Sequence, residues 1–151
     1  MKLYVYVLIL AAGAMGQVPN QHHPPSSDDQ KLLDIAGKDA PANLKTILAA
    51  PDDPRLPDNS VDVIFFCDVL HHIENRAAYY PQLAKALKSG GRIVVIEFYK
   101  KEMPIGPPPS MKLSDDEVIA EFRRAGFTLA KRLDILPYQT LRNCTLVYSS
   151  A

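Results

Sequence analysis

The chain has 151 residues, 47% of them hydrophobic, and its 17 lysines plus arginines balance 17 aspartates plus glutamates. That length and apolar content support one respectable core, so a single domain is the default. The absent net charge removes the electrostatic footprint for nucleic acid or an anionic membrane surface and leaves a small, roughly neutral partner as the expectation.

At the N-terminus Lys2 precedes the apolar run Leu3 to Ala12, and Ala14-Met15-Gly16 places small residues where a signal peptidase inspects them. Residues 1–16 therefore read as an export signal cleaved before Gln17, which would place the mature chain in the periplasm or outside the cell. The run falls short of the roughly 20 residues that cross a bilayer, so no permanent membrane anchor is expected. The rival reading is a strand over Tyr4 to Leu10 followed by Ala11 to Gly16 as a degraded glycine loop. Gln17 to Gln30 has Val18 as its only aliphatic residue and reads as a disordered linker. Its adjacent His22 and His23 read as solvated rather than metal-binding.

From Lys31 the chain turns periodic. Leu32, Leu33, Ile35 and Ala36 form a short helical stripe, and Asn43 to Ala49 alternates like a half-exposed strand that Pro51 and Pro54 end. Val61 to Phe66 is almost continuously apolar, as in a parallel strand buried on both faces. Such strands offer ligands their carboxyl ends, which sets Cys67, Asp68, His71 and His72 beside a crevice. Tyr80, Leu83, Ala84 and Leu87 then make one helix face, with Pro81 expected in the first turn and Gly90 at a left-handed terminus. Ile93 to Ile96 follows as a buried strand. The proline-rich Lys100 to Ser110 suits neither helix nor central strand, and it reads equally as a wall overhanging the crevice or as a rigid connection. Ser114 to Glu117 is a capping box opening a helix that buries Val118, Ile119 and Phe122 and stops at Gly126. Phe127 to Ile135 and Asn143 to Tyr148 complete the strands, separated by the Leu136-Pro137-Tyr138 bend.

Leu56-Pro57-Asp58-Asn59-Ser60, the strand running into Asp68-Val69-Leu70-His71-His72-Ile73, and Ser89-Gly90-Gly91 before Arg92 to Glu97 together resemble the second half of a class I S-adenosylmethionine-dependent methyltransferase of the type 11 kind. The resemblance implies an α/β fold with a Rossmann-like methyltransferase sheet, mostly parallel, carrying an antiparallel C-terminal strand pair. The half that normally bears the glycine loop lacks a counterpart, which makes residues 31–151 a partial domain. It also implies S-adenosyl-L-methionine as cofactor and a small-molecule methyl acceptor. Asp52, with Asp53 beside it, would meet the adenine amino group, though both equally suit the cap of a turn. Asp68 would touch the cofactor or orient a histidine, and His71 or His72 would accept the acceptor's proton. The plainer alternative packs one histidine in the core and leaves the other solvated. The family's strand order sets Cys67 and Cys144 two strands apart, too far for a disulfide. Two interior strands being absent, either Leu44 to Leu48 should move beside Val61 to Phe66 or Tyr4 to Leu10 should fill the vacancy. The competing functional reading is a catalytically inactive remnant acting as a binding module, with self-association through an open sheet edge.

Overall fold

The computed structural model describes residues 5–9, 38, 41–50 and 52–146. The linker over 17–30 with His22 and His23, the stripe over 32–36 and the glycine-like run over 11–16 lie outside the described residues. The chain divides into two compact units, residues 1–56 and 57–151.

In the first unit β1 (Val5–Ile9) pairs in parallel with β2 (Leu44–Leu48), in register from Val5 opposite Leu44 to Ile9 opposite Leu48. The N-terminal apolar run thus contains a strand, and it neighbours Leu44–Leu48. Ala49 and Ala50 beyond β2 are buried, and Ala50 and Asp53 exchange backbone hydrogen bonds that close a turn.

The second unit is built on a four-stranded sheet ordered β3-β4-β6-β5. β3 (Val61–Cys67) runs parallel to β4 (Leu87–Phe98), whereas β6 (Gln139–Leu146) is antiparallel both to β4 and to β5 (Phe127–Leu133). Between β3 and β4 lie a 3-10 turn (Leu70–His72) and helix α1 (Arg76–Ala86), and α2 (Asp115–Arg124) precedes β5. The buried face carries Ile64 and Phe66 from β3, Ile93, Val95 and Glu97 from β4, and Thr140, Arg142 and Cys144 from β6. Tyr80 of α1 stacks on Phe122 of α2 at 4.5 Å between centroids, and Phe122 meets Phe127 of β5 edge-on at 5.5 Å. These aromatic contacts join both helices to the sheet and supply much of the core's apolar burial.

Several expectations need correction. Val61 to Phe66 is not buried on both faces: β3 is an edge strand of its sheet, with Val63 41% and Phe65 59% exposed on the alternate face. Within the second unit β3 pairs with β4 alone. Pro81 lies inside α1 rather than in its first turn, because Asn75 caps the helix earlier through a 3.3 Å bond from the Ala78 amide to its side chain. The helix ends at Ala86 and leads straight into β4, so Gly90 (φ 76°) serves an irregular stretch of strand where the β3–β4 register shifts, not a helix terminus. β6 starts at Gln139, ahead of the Asn143 expected. Other elements are where the pattern placed them: Ser114 and Glu117 form the capping box of α2, and Gly126 (φ 87°) ends it. Both cysteines are free; Cys67 is exposed and Cys144 buried, with β4 between their strands.

Candidate active site

Asp68 follows the last residue of β3 and takes a left-handed backbone (φ 52°), a conformation that Asp tolerates better than most residues. Its amide extends the parallel ladder by donating to the Ile96 carbonyl at 2.9 Å. The left-handed turn takes the side chain out of the strand's alternation and toward the end of β6. There the Gln139 Nε2 donates to Asp68 Oδ2, while Oδ1 is buried with no hydrogen-bond partner. Burial, and secondly the charge of Glu97, raise the Asp68 carboxyl above its ordinary range; Gln139 and His71 only partly oppose this. Burial also pushes up the Cys67 thiol, reinforced by Asp68 and Glu97.

The chain then makes its 3-10 turn, closed by bonds from the His72 amide to the Val69 carbonyl at 3.0 Å and from the Ile73 amide to the Leu70 carbonyl at 3.1 Å. Leu70 anchors the turn in the core. Glu97, near the carboxyl end of β4, grips it with both oxygens. Oε1 accepts from the His71 amide at 3.2 Å, and Oε2 lies 2.8 Å from His71 Nδ1. The His71 and Glu97 side chains are 5% and 1% exposed, so this is a desolvated pair rather than a surface contact. If Glu97 is ionised and the ring neutral, Nδ1 is the donor of this contact and Nε2 keeps its lone pair. His72 is exposed, with its ring 4.1 Å from that of His71.

Of the residues singled out in the sequence, Asp68 and His71 thus come together, joined by Glu97 and Gln139, while His72 stands on the solvent side. Asp52 and Asp53 belong to the other unit. Asp52 is half-buried, whereas Asp53 is exposed and its Oδ1 accepts from the Arg55 amide at 2.7 Å, the behaviour of a turn cap. Glu97 escaped the sequence reading although a signal was present: positions 93, 95 and 97 share one face of an apolar strand, so an acid at 97 demanded a partner. Gln139 gave no such signal, because it opens a strand whose first half is polar.

Among the described residues, two cavities are found in the second unit. One, of about 390 Å³, is lined by Glu74, Arg76, Tyr80, Glu121 and Arg124, among others; its walls include Arg76 bound to Glu121 at 2.7 and 2.9 Å. The other, of about 320 Å³, lies at Tyr99 to Lys101 and Ser114 to Asp116. Neither is lined by Asp68, His71 or His72.

Parallel strands followed by an antiparallel C-terminal pair make a Rossmann-like methyltransferase sheet. Residues 27–95 match the family model described as "Methyltransferase domain". A SAM-dependent methyltransferase from Aquifex aeolicus is similar with a TM-score of 0.69 at 23% identity, over 79% of this chain and 62% of that one. A putative type 11 methyltransferase from Sulfolobus solfataricus gives 0.67 at 23% identity, over 85% and 70%. The O-methyltransferase NcsB1 from neocarzinostatin biosynthesis, solved with S-adenosyl-L-homocysteine and 1,4-dihydroxy-2-naphthoic acid, gives 0.61 at 19% identity, over 96% and 42%. The chain therefore spans less than two thirds of the Aquifex enzyme's length. No curated protein matches the sequence.

Proposed function

We propose that the chain binds S-adenosyl-L-methionine and transfers its methyl group to a hydroxyl or amine of a small organic acceptor. The observation that carries this reading is the buried His71–Glu97 pair beside the unpartnered Oδ1 of Asp68. A buried acceptor without a donor is costly until a ligand supplies one. The ammonium and ribose hydroxyls of the cofactor are donors of that kind, so Asp68 fits the group. When bound, the cofactor supplies an electrophilic sulfonium methyl. The protein's share is to hold the acceptor in line and remove its proton. With cofactor and acceptor held in line, His71 Nε2 would be the group that takes up the proton lost by the acceptor hydroxyl or amine. Glu97 fixes that tautomer and offsets the imidazolium charge. Among the described residues no carboxylate holds His72 in this way, so the role falls to His71. Asp52 is retained as the adenine contact and Asp53 as its neighbour.

Isothermal titration with S-adenosyl-L-methionine tests the binding step: micromolar affinity supports it, and no heat at millimolar ligand supports the second reading, an inactive binding module. The open edge of β3 and the partial span of the relatives favour that alternative. For turnover, His71→Gln is expected to keep cofactor affinity and lose roughly 10²–10⁴ in rate, the usual worth of a general base. Equal turnover by wild type and variant, measured by transfer of labelled methyl to a panel of phenols and amines, would remove His71 from the chemistry. Export through residues 1–16 is a separate proposal: an intact mass lacking them supports it, and a full-length mass assigns Val5–Ile9 to the fold.

A further inference from the structure

Asp68 directly follows β3, yet its side chain reaches across the sheet rather than along it. Its amide donates to the Ile96 carbonyl at 2.9 Å, which keeps the backbone on the β4 ladder, while the left-handed turn (φ 52°) sends the carboxyl toward β6. There Gln139 Nε2 donates to Oδ2, a bond that links the end of β3 to the start of β6 with β4 between them. The Cys67 thiol approaches the same oxygen, with Sγ 4.0 Å from Oδ2. Oδ1 is left buried without a partner.

The donor itself is held. Gln139 is the first residue of β6 and pairs with Phe98, the last residue of β4. Just beyond that pair the Tyr99 amide donates to the Tyr138 carbonyl at 3.0 Å, so the backbone at 139 is fixed on both sides. The half-buried side chain is thus launched from a set point.

Among the groups around Asp68, Gln139 differs in kind. Glu97 of β4, His71 of the 3-10 turn and Cys67 of β3 are side chains that gain or lose protons. The Gln139 amide donates at every pH. Burial first and Glu97 second work against ionisation of Asp68, and on the opposing side Gln139 contributes more than His71. The terminal torsion of an aspartate is broad and roughly two-fold, so an unheld carboxyl presents either oxygen to a ligand. One fixed donor removes that choice.

We propose that Gln139 is a positioning residue: by occupying Oδ2 from across the sheet it fixes the rotation of the Asp68 carboxyl and leaves Oδ1 as the one acceptor offered to the cofactor. This role rests on the reading of Asp68 as a cofactor contact, but its first test needs no ligand. Carbon-13 NMR of the Asp68 carboxyl, on the full chain, follows its titration directly. Gln139→Met keeps the length of the side chain and removes the donor. Asp68 should then hold its proton about tenfold more tightly, as befits loss of a hydrogen bond to a charged group. An unmoved titration in the folded variant overturns the proposal. Should Gln139→Met not fold, Gln139→Asn decides, because it keeps the amide but draws it back by one methylene: the same rise is expected, and the wild-type titration there overturns the proposal. Calorimetric titration with S-adenosyl-L-methionine gives the second test, in which the folded variant should bind about tenfold more weakly than wild type. Wild-type affinity alongside a shifted Asp68 titration would leave Gln139 a structural strap and overturn its positioning role. A shifted titration with no binding by wild type would uphold the grip of Gln139 on Asp68 and sink the reading of Asp68 as a cofactor contact.

Discussion

A carboxylate held at φ 52° with one oxygen buried and unbonded is a poor choice for stability, which is why Asp68 reads as a functional group. Its weakened acidity has a definite sign. The native state holds the Asp68 proton more tightly than the unfolded chain, so the stability it contributes is present below about pH 4 and is lost as pH rises through the folded value. Asp68→Asn keeps an acceptor for Gln139, suits a left-handed backbone and removes the charge. It is expected to melt higher than wild type near neutrality, with the gap closing toward pH 4, while cofactor affinity falls. Melting curves across this range with titrations at pH 7 check both halves; a variant that melts lower at neutral pH would mark Asp68 as structural. Positions 68, 71 and 72 stood out in the sequence because chemistry-bearing side chains directly follow an apolar strand, but nothing there chose between the two histidines. Arg142 did not stand out, since a lone arginine within Gln139 to Asn143 looks like any solvated position until the sheet buries it.

At the level of elements, legibility followed the strength of local signals. The Ser114 capping box announced α2, and the structure shows both of its bonds: Glu117 amide to Ser114 Oγ at 3.2 Å and Ser114 amide to Glu117 Oε2 at 2.7 Å. The start of α1 was missed because Asn75, its cap, sits in a polar stretch where the apolar period has not begun, and Pro81 drew the boundary too late. Glu117 provides a clean pH test. The Ser114 backbone amide, helped by Lys100 at 2.9 Å, holds its carboxyl down to about 2. A depressed folded value means stability that is present above the ordinary glutamate range and is lost as pH falls from about 4 toward 2. Glu117→Gln should therefore melt below wild type at pH 7, and the difference should vanish by the lower limit. Ser114→Ala, which removes the hydroxyl cap, is expected to cost about 1 kcal/mol without that pH dependence. Denaturant unfolding at pH 7 and at acid pH separates the two; a pH-independent deficit in Glu117→Gln would assign the loss to packing.

For the molecule as a whole, the resemblance implied the antiparallel C-terminal strand pair and the free thiols, whereas the apolar pattern misjudged the environment of β3. An unbroken apolar run, Val61 to Phe66, reads as buried on both faces because sequence reports what a strand would prefer to meet, not what covers it. One face is buried through Ile64 and Phe66. The other leaves Val63 and Phe65 exposed on a strand whose outer edge has no described neighbour. Open backbone donors and acceptors beside apolar side chains recruit further strands, and the single charge in β3, Asp62, is engaged by Lys88 at 2.7 Å. Self-association that grows with concentration is therefore expected. A lysine at 65 places a charge on the exposed face without touching Ile64 or Phe66 in the core, so Phe65→Lys should shift sedimentation toward the monomer and leave the far-ultraviolet dichroism unchanged. A wild-type sedimentation coefficient independent of concentration would show that this edge recruits no second copy.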